Sequence, residues 1–264
     1  MATPKVMVLR APGTNCDKET AFAFEHAGAK AELVHVNRLL EKPSLVSDFE
    51  ILCIPGGFSF GDDVAAGRIL ANQIQHHLTE YLAEFKAAGK LILGICNGFQ
   101  VLIKSGILLE PDPEKGPEAT LTWNDSGKFE DRWVRLKVCG GPSVFLKGIE
   151  AMYLPVAHAE GKFVPRDQQV LDELESGGQL VLRYRPLASD ADGEAPGPAA
   201  YPDNPNGSVA DAAGVSDTTG RVLGLMPHPE RHIDPTQHPR WTRGEAGEVG
   251  DGMQVFINAV EHFA

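Results

Sequence analysis

Short apolar runs separated by amphipathic stretches set the rhythm of the first hundred residues. The runs "KVMVLR" (5–10), "AELVHV" (31–36), "FEILCI" (49–54) and "KLILGI" (90–95) predict four strands. Between them, "KETAFAFEHAG" (18–28) predicts a helix that Asp17 N-caps and Gly28 closes. Leu70, Ile74, Leu78, Leu82 and Phe85 step at helical spacing toward Gly89 and predict one long helix. "NGFQVLIKSG" (97–106) predicts the helix behind the fourth strand. Strands this apolar, alternating with helices, imply an α/β protein whose mostly parallel sheet is covered on both faces. In such sheets the ligand sits beyond the carboxyl ends of the strands.

The second half changes character. "ATLTWNDSGKFEDRWVRLKV" (119–138) predicts a hairpin around residues 124–127. "MYLPVAHAEGKFV" (152–164) and "QLVLRYRP" (179–186) predict further strands, split by a short helix near residues 167–178. Residues 187–220 are rich in Pro, Gly, Asp and Ala and predict a long surface loop, because the apolar "RVLGLM" (221–226) follows them. Met253, Phe256, Ile257 and Val260 share one face of a C-terminal helix. No internal repeat is present, and residues 1–264 are expected to form a single domain.

Composition narrows the function. Hydrophobic residues make up 42% of the chain, enough for a substantial core, and the net charge is −12 with no Lys/Arg cluster. That balance argues against a nucleic-acid or anionic-membrane surface. No run approaches the length of a membrane span, and the apolar stretch at the N-terminus is too short for a secretory signal. Cys16, Cys53, Cys96 and Cys139 are widely spaced without a C-x-x-C pair. The spacing points away from structural zinc or disulfides and toward a reducing cytoplasm.

Cys96 stands at the joint of a predicted strand and helix in "GICNG", flanked by Gly94 and Gly98. G-x-C-x-G is the thiol counterpart of the nucleophile elbow, in which small flanking residues permit a strained turn. The first N–H groups of the new helix would then face the sulfur and favour a thiolate. A buried structural cysteine fits the same motif. A nucleophilic thiol needs a base and a group that holds the base. "MPHPERH" supplies His228 after a strand, with Glu230 two residues on, where an extended backbone projects both to one side. Pro229 restricts His228 to extended geometry. A surface histidine in a turn is the alternative. "CIPGGFSFGDD" (53–63) supplies a loop able to aim N–H groups at an oxyanion, with Gly57 as one donor and Asn97 as the other. A phosphate loop is the competing reading, but no Gly-Lys-Ser/Thr follows.

Together the "PGG" loop, "GICNGFQ" and "PHPE" resemble the class I, triad-type glutamine amidotransferases, in order and over nearly the whole chain. "PGTNCD", "PVAHAEG" and "NPNGS" are similar to segments of the glutaminase subunits of phosphoribosylformylglycinamidine synthase, in purine biosynthesis. The resemblance implies a flavodoxin-like doubly wound sheet. It places the nucleophile on Cys96, the base on His228 and the orienting carboxylate on Glu230. Gln100 matches a position that helps bind glutamine, and Gly56 and Phe58 are expected beside it. The implied reaction hydrolyses glutamine to glutamate and passes ammonia to a synthetase subunit, aided by a small accessory subunit. No cofactor is expected on this chain, and ATP and Mg are implied on the synthetase. His158 and Glu160 are candidates for the docking surface or for an ordinary strand and turn. A glutaminase feeding another synthase, an inactive docking subunit and a cysteine hydrolase on the same fold are the remaining alternatives.

Overall fold

The computed structural model describes residues 3–186 and 198–264. Its frame is a nine-stranded sheet. Strands β1 (Lys5–Arg10), β2 (Lys30–His35), β3 (Ile51–Ile54), β4 (Leu91–Ile95) and β11 (Val222–Leu225) form one half. They lie side by side in the order β2-β1-β3-β4-β11, every neighbouring pair parallel. This is the order of a doubly wound flavodoxin-like sheet. β3 and β4 are buried at every position, as strands covered on both faces must be.

The sheet continues as four antiparallel strands: β10 (Ala212–Ser216), β9 (Leu182–Arg185), β6 (Glu130–Val138) and the edge strand β7 (Ala151–His158). On β6 and β7 buried positions alternate with more exposed ones, with Val134 and Leu136 on β6 and Met152 and Leu154 on β7 buried. A separate pair, β5 (Ala119–Thr122) and β8 (Lys162–Pro165), is also antiparallel. The helices are α1 (Asp17–His26), α2 (Val36–Glu41), α3 (Arg68–His77), α4 (Thr79–Ala87), α5 (Asn97–Ser105), α6 (Gln168–Ser176) and α7 (Met253–Glu261). No helix among the described residues is long and apolar enough to cross a membrane.

Four local expectations are corrected. Asp17 does not cap α1 but begins it, and its carboxylate pairs with Arg10 Nε at 2.6 Å. The long helix is two: Leu78 leaves helical geometry (φ −123°), and the Thr79 hydroxyl donates to Gln75 O at 2.7 Å, closing the last turn of α3. Leu70, Ile74, Leu78, Leu82 and Phe85 are nonetheless all buried, so the apolar stripe survives the break. The 124–127 turn closes, with Gly127 N–H donating to Asn124 O at 2.9 Å, but it does not make a hairpin. β5 pairs with β8, whereas β6 enters the main sheet between β9 and β7. Finally, the surface loop ends early. Residues 187–197 lie outside the described residues, but Ala212–Ser216 form β10, buried throughout in the middle of the sheet. The run "AAGVS" reads as loop because its residues are small. A Cβ at Gly214 would come within 3.0 Å of Gly224 O, so small residues are what the position accepts.

Candidate active site

Cys96 follows β4 directly and precedes α5. Its backbone sits at φ +51°, ψ −104°, a left-handed conformation that costs a non-glycine residue on the order of 1–3 kcal/mol. The surroundings hold it there. Its N–H donates to Leu225 O at 2.8 Å on the neighbouring β11, while the helix behind it packs directly on β3. That packing explains the flanking glycines, since a Cβ at Gly98 would run into the Ile54 carbonyl and one at Gly94 would meet Gly98 O at 2.7 Å. Cys96 is 4% exposed, and its sulfur lies 3.7 Å from Ala157 O.

Because β4 and β11 are parallel and in register, Ile95 beside Leu225, the chain after β11 reaches the same edge as Cys96. Here His228 is extended (φ −104°, ψ 91°), and its N–H donates to Pro155 O of β7 at 2.9 Å. The ring nitrogen Nδ1 lies 2.6 Å from Glu230 Oε1, and both side chains are almost wholly buried. A carboxylate partner makes Nδ1 a donor, and Nε2 meets no hydrogen-bond partner among the described residues. Burial opposes protonation of this ring, but the Glu230 carboxylate and the Cys96 sulfur outweigh it and hold the His228 pKa well above the ordinary imidazole value. The back of the ring rests on Gly56, where a Cβ would approach Cε1 to 2.7 Å and Cys16 Sγ to 3.1 Å. Arg231 Nη2 donates to Cys16 Sγ at 3.1 Å, and burial pushes the Cys16 thiol up to about 11, so this second cysteine stays a neutral thiol.

A 280 Å³ cavity opens beside the sulfur, lined by Cys96, Gly57, Phe58, Asp62, Gln100, Trp123 and residues 157–160. Gly57 has φ +136° and its amide carries no intramolecular hydrogen bond among the described residues. Asn97 is the first residue of α5, where no preceding turn supplies an acceptor for its N–H. Both amides are therefore free to donate to an oxyanion. The Asn97 side chain braces the loop: Oδ1 accepts from Ser59 N–H at 3.2 Å, and Nδ2 donates to Asp62 Oδ1 at 3.1 Å and Gln100 Oε1 at 2.9 Å. Gln100 Nε2 donates to Glu160 O at 2.6 Å.

Of the residues singled out in the sequence, Gly57, Phe58, Cys96, Gln100, His158 and Glu160 line the cavity, while Asn97, His228 and Glu230 are not among its lining residues. Gly56 does not line it and instead backs the imidazole. His158 and Glu160, considered for docking, are 3% and 8% exposed and face inward. Asp62 and Trp123 escaped the sequence reading. Asp62 lies in a loop where Phe60, Asp62 and Val64 all have positive φ, and its charge has no local signature. Burial first, then the charge of Glu160, raises its pKa to about 6.

Comparison with known proteins shows the family to which the chain belongs. Residues 3–263 match the model of the CobB/CobQ-like glutamine amidotransferase domain. The chain is 49% identical to a phosphoribosylformylglycinamidine synthase subunit PurQ from Dehalococcoides mccartyi over 99% of this chain and 98% of that one. It is 42% identical to the subunit of the same name from Methanococcus maripaludis, over 98% and 97% of the two chains. A solved structure of PurLQS from Thermotoga maritima contains a chain matching all of this one, with a TM-score of 0.73 and 31% identity.

Proposed function

The chain belongs to the CobB/CobQ-like glutamine amidotransferase family, and from that premise we propose how its site works. It is a glutaminase that serves phosphoribosylformylglycinamidine synthase, acting with a synthetase subunit and a small accessory subunit. One domain carries the whole activity, in the cytoplasm. The observation that supports the assignment of residues is the strained Cys96 corner placed at the same sheet edge as the buried His228–Glu230 pair.

Cys96 as thiolate attacks the side-chain carbonyl carbon of glutamine. The oxyanion that forms takes hydrogen bonds from the Gly57 and Asn97 amides, each of which contributes about 3 kcal/mol in comparable sites. The His228 imidazolium, sustained by Glu230, gives its Nε2 proton to the leaving nitrogen, and ammonia departs. Water then loses a proton to Nε2 and attacks the thioester, releasing glutamate and restoring the ion pair. This chemistry draws on no cofactor of the chain itself. ATP with Mg serves the synthetase, which activates the amide that receives the ammonia. Phe58 and Gln100 shape the glutamine pocket.

Cys96→Ala in the reconstituted complex tests the reading. Synthesis from glutamine should vanish while synthesis from added ammonium persists. Parallel loss of both, or survival of the glutamine reaction, would contradict it.

A further inference from the structure

His158 terminates β7 and lines the same cavity as Cys96. Its ring is fixed on one face and at Nδ1. It lies flat against Gly161, where a Cβ would collide with the imidazole. Nδ1 is 3.1 Å from Asn124 Oδ1. The Asn124 amide is oriented without ambiguity, because its Nδ2 donates to His158 O at 2.8 Å and to Lys128 O at 2.9 Å. Asn124 Oδ1 also accepts from Gly161 N–H at 3.0 Å. The oxygen therefore faces the ring, and Nδ1 must carry the hydrogen. That leaves Nε2 as a bare lone pair, fully buried and with no partner among the described residues. A buried acceptor left unmet is a cost that native structures rarely carry without a function or a ligand.

Burial, reinforced by the nearby His228 charge, lowers the His158 pKa to about 3, so the ring is a neutral acceptor. It cannot supply a proton to ammonia or act as the acid of the reaction. What the neighbouring chemistry offers it is a hydrogen-bond donor. Glutamine brings one, since its carboxamide nitrogen carries two hydrogens and takes only its third from His228 on leaving. The attacking water brings another, since it gives one hydrogen to His228 and keeps one.

We propose that His158 Nε2 accepts a hydrogen bond from the atom at the leaving-group position, first the carboxamide nitrogen of glutamine and then the water that replaces ammonia. The inference rests on the glutaminase reading above. No bond to His158 is made or broken. The side chain orients the leaving nitrogen with its lone pair toward the His228 proton, and afterwards orients the water.

The test uses the reconstituted complex and a rapid-quench measurement of the first turnover. Glutamine is compared with its γ-methyl ester, whose leaving oxygen carries no hydrogen for His158 to accept. His158→Phe keeps a ring over Gly161 but removes the acceptor. Ammonia release from glutamine should slow about tenfold or more, as loss of one buried hydrogen bond implies, while methanol release from the ester changes less than about twofold. His158→Gln, which retains an acceptor oxygen, should recover part of the glutamine rate. Equal slowing of both substrates would reduce His158 to a structural role, and equal retention would also overturn the proposal. If His158→Phe does not fold, the glutamine-to-ester ratio in His158→Leu, which also lacks an acceptor, decides, an unchanged ratio counting against the proposal and a reduced one for it. A wild-type first turnover that survives Cys96→Ala would sink the glutaminase reading itself, independently of the ratio.

Discussion

Glu230 Oε1 stands 2.6 Å from His228 Nδ1, inside a shell where neither side chain is more than 2% exposed. At that depth the carboxylate is not screened, so it governs both the tautomer and the charge of the ring. Glu230→Gln keeps the shape but removes the charge and can present an N–H to Nδ1. The glutamine-dependent kcat/KM should fall about 10²-fold or more, with ammonium-dependent synthesis retained. The sign of the pH effect follows from the same pair. Glu230 is the main group raising the His228 pKa against its burial, so its loss lowers that pKa. The alkaline limb of kcat/KM should then move to lower pH, and an unmoved limb would show that Glu230 does not control the ring.

Asp62 gives a stability prediction. Its pKa rises from 3.8 to about 6 in the folded protein, chiefly through burial and then through Glu160. The folded state therefore holds the Asp62 proton more tightly than the unfolded chain does. Stability is lost as pH climbs from about 4 to about 6 and the carboxylate must ionise in place. Asp62→Asn removes that cost, so the variant should be more stable than wild type by about 1–2 kcal/mol at pH 7. The advantage should shrink toward zero near pH 4. Urea titrations at several pH values measure it, and a pH-independent difference would exclude the linkage.

How far this site was legible depended on whether a residue's role is set by its sequence neighbours. Cys96 and His228 each sit in a short motif that dictates its own backbone, glycines at Gly94 and Gly98 for one and Pro229 for the other, so the tight corner and the extended histidine are both legible locally. The parallel half of the sheet was readable for the same reason, since buried strands are apolar along their length. For His158 the sequence leaves a docking surface and an ordinary strand and turn both open, because its burial depends on Asn124 and Gly161, which meet it through tertiary structure. β10 was missed because "AAGVS" is specified by the tight gap between its neighbours, not by hydrophobicity. The false hairpin has a similar origin: the turn is local, but what β5 and β6 pair with is decided elsewhere.

Gly98, two residues after Cys96, is a steric requirement that can be measured. At Gly98 any Cβ collides with a β3 backbone carbonyl, which cannot swing away as a side chain would. Gly98→Ala should destabilise the protein by about 2–4 kcal/mol and abolish glutamine hydrolysis by shifting Cys96 off its corner. Gly247→Ala, where the nearest atom to a new Cβ is 3.4 Å away, should melt like wild type. Similar melting temperatures for the two variants would refute the packing account.

Beneath the cavity, Lys104 Nζ lies 3.7 Å from Glu160 Oε2 with both side chains buried. The same ammonium donates to Ala66 O at 2.6 Å, and the Glu160 carboxylate accepts from Ala66 N–H at 3.2 Å. One peptide segment is thus clamped from both sides, and Glu160 O holds Gln100 at the cavity wall. Lys104→Met fills the space but leaves Glu160 charged, buried and without its cation. Breaking one side of such a pair typically costs about 3–5 kcal/mol, whereas replacing both partners by apolar groups can be close to neutral. Lys104→Met should therefore lower the melting temperature by several degrees, and Lys104→Met combined with Glu160→Gln should restore most of it. The single variant should also raise the Asp62 pKa further, because Lys104 is one of the charges that lowers it. Additive losses in the double variant would mean that the two side chains act separately and that the cavity floor does not depend on their pairing.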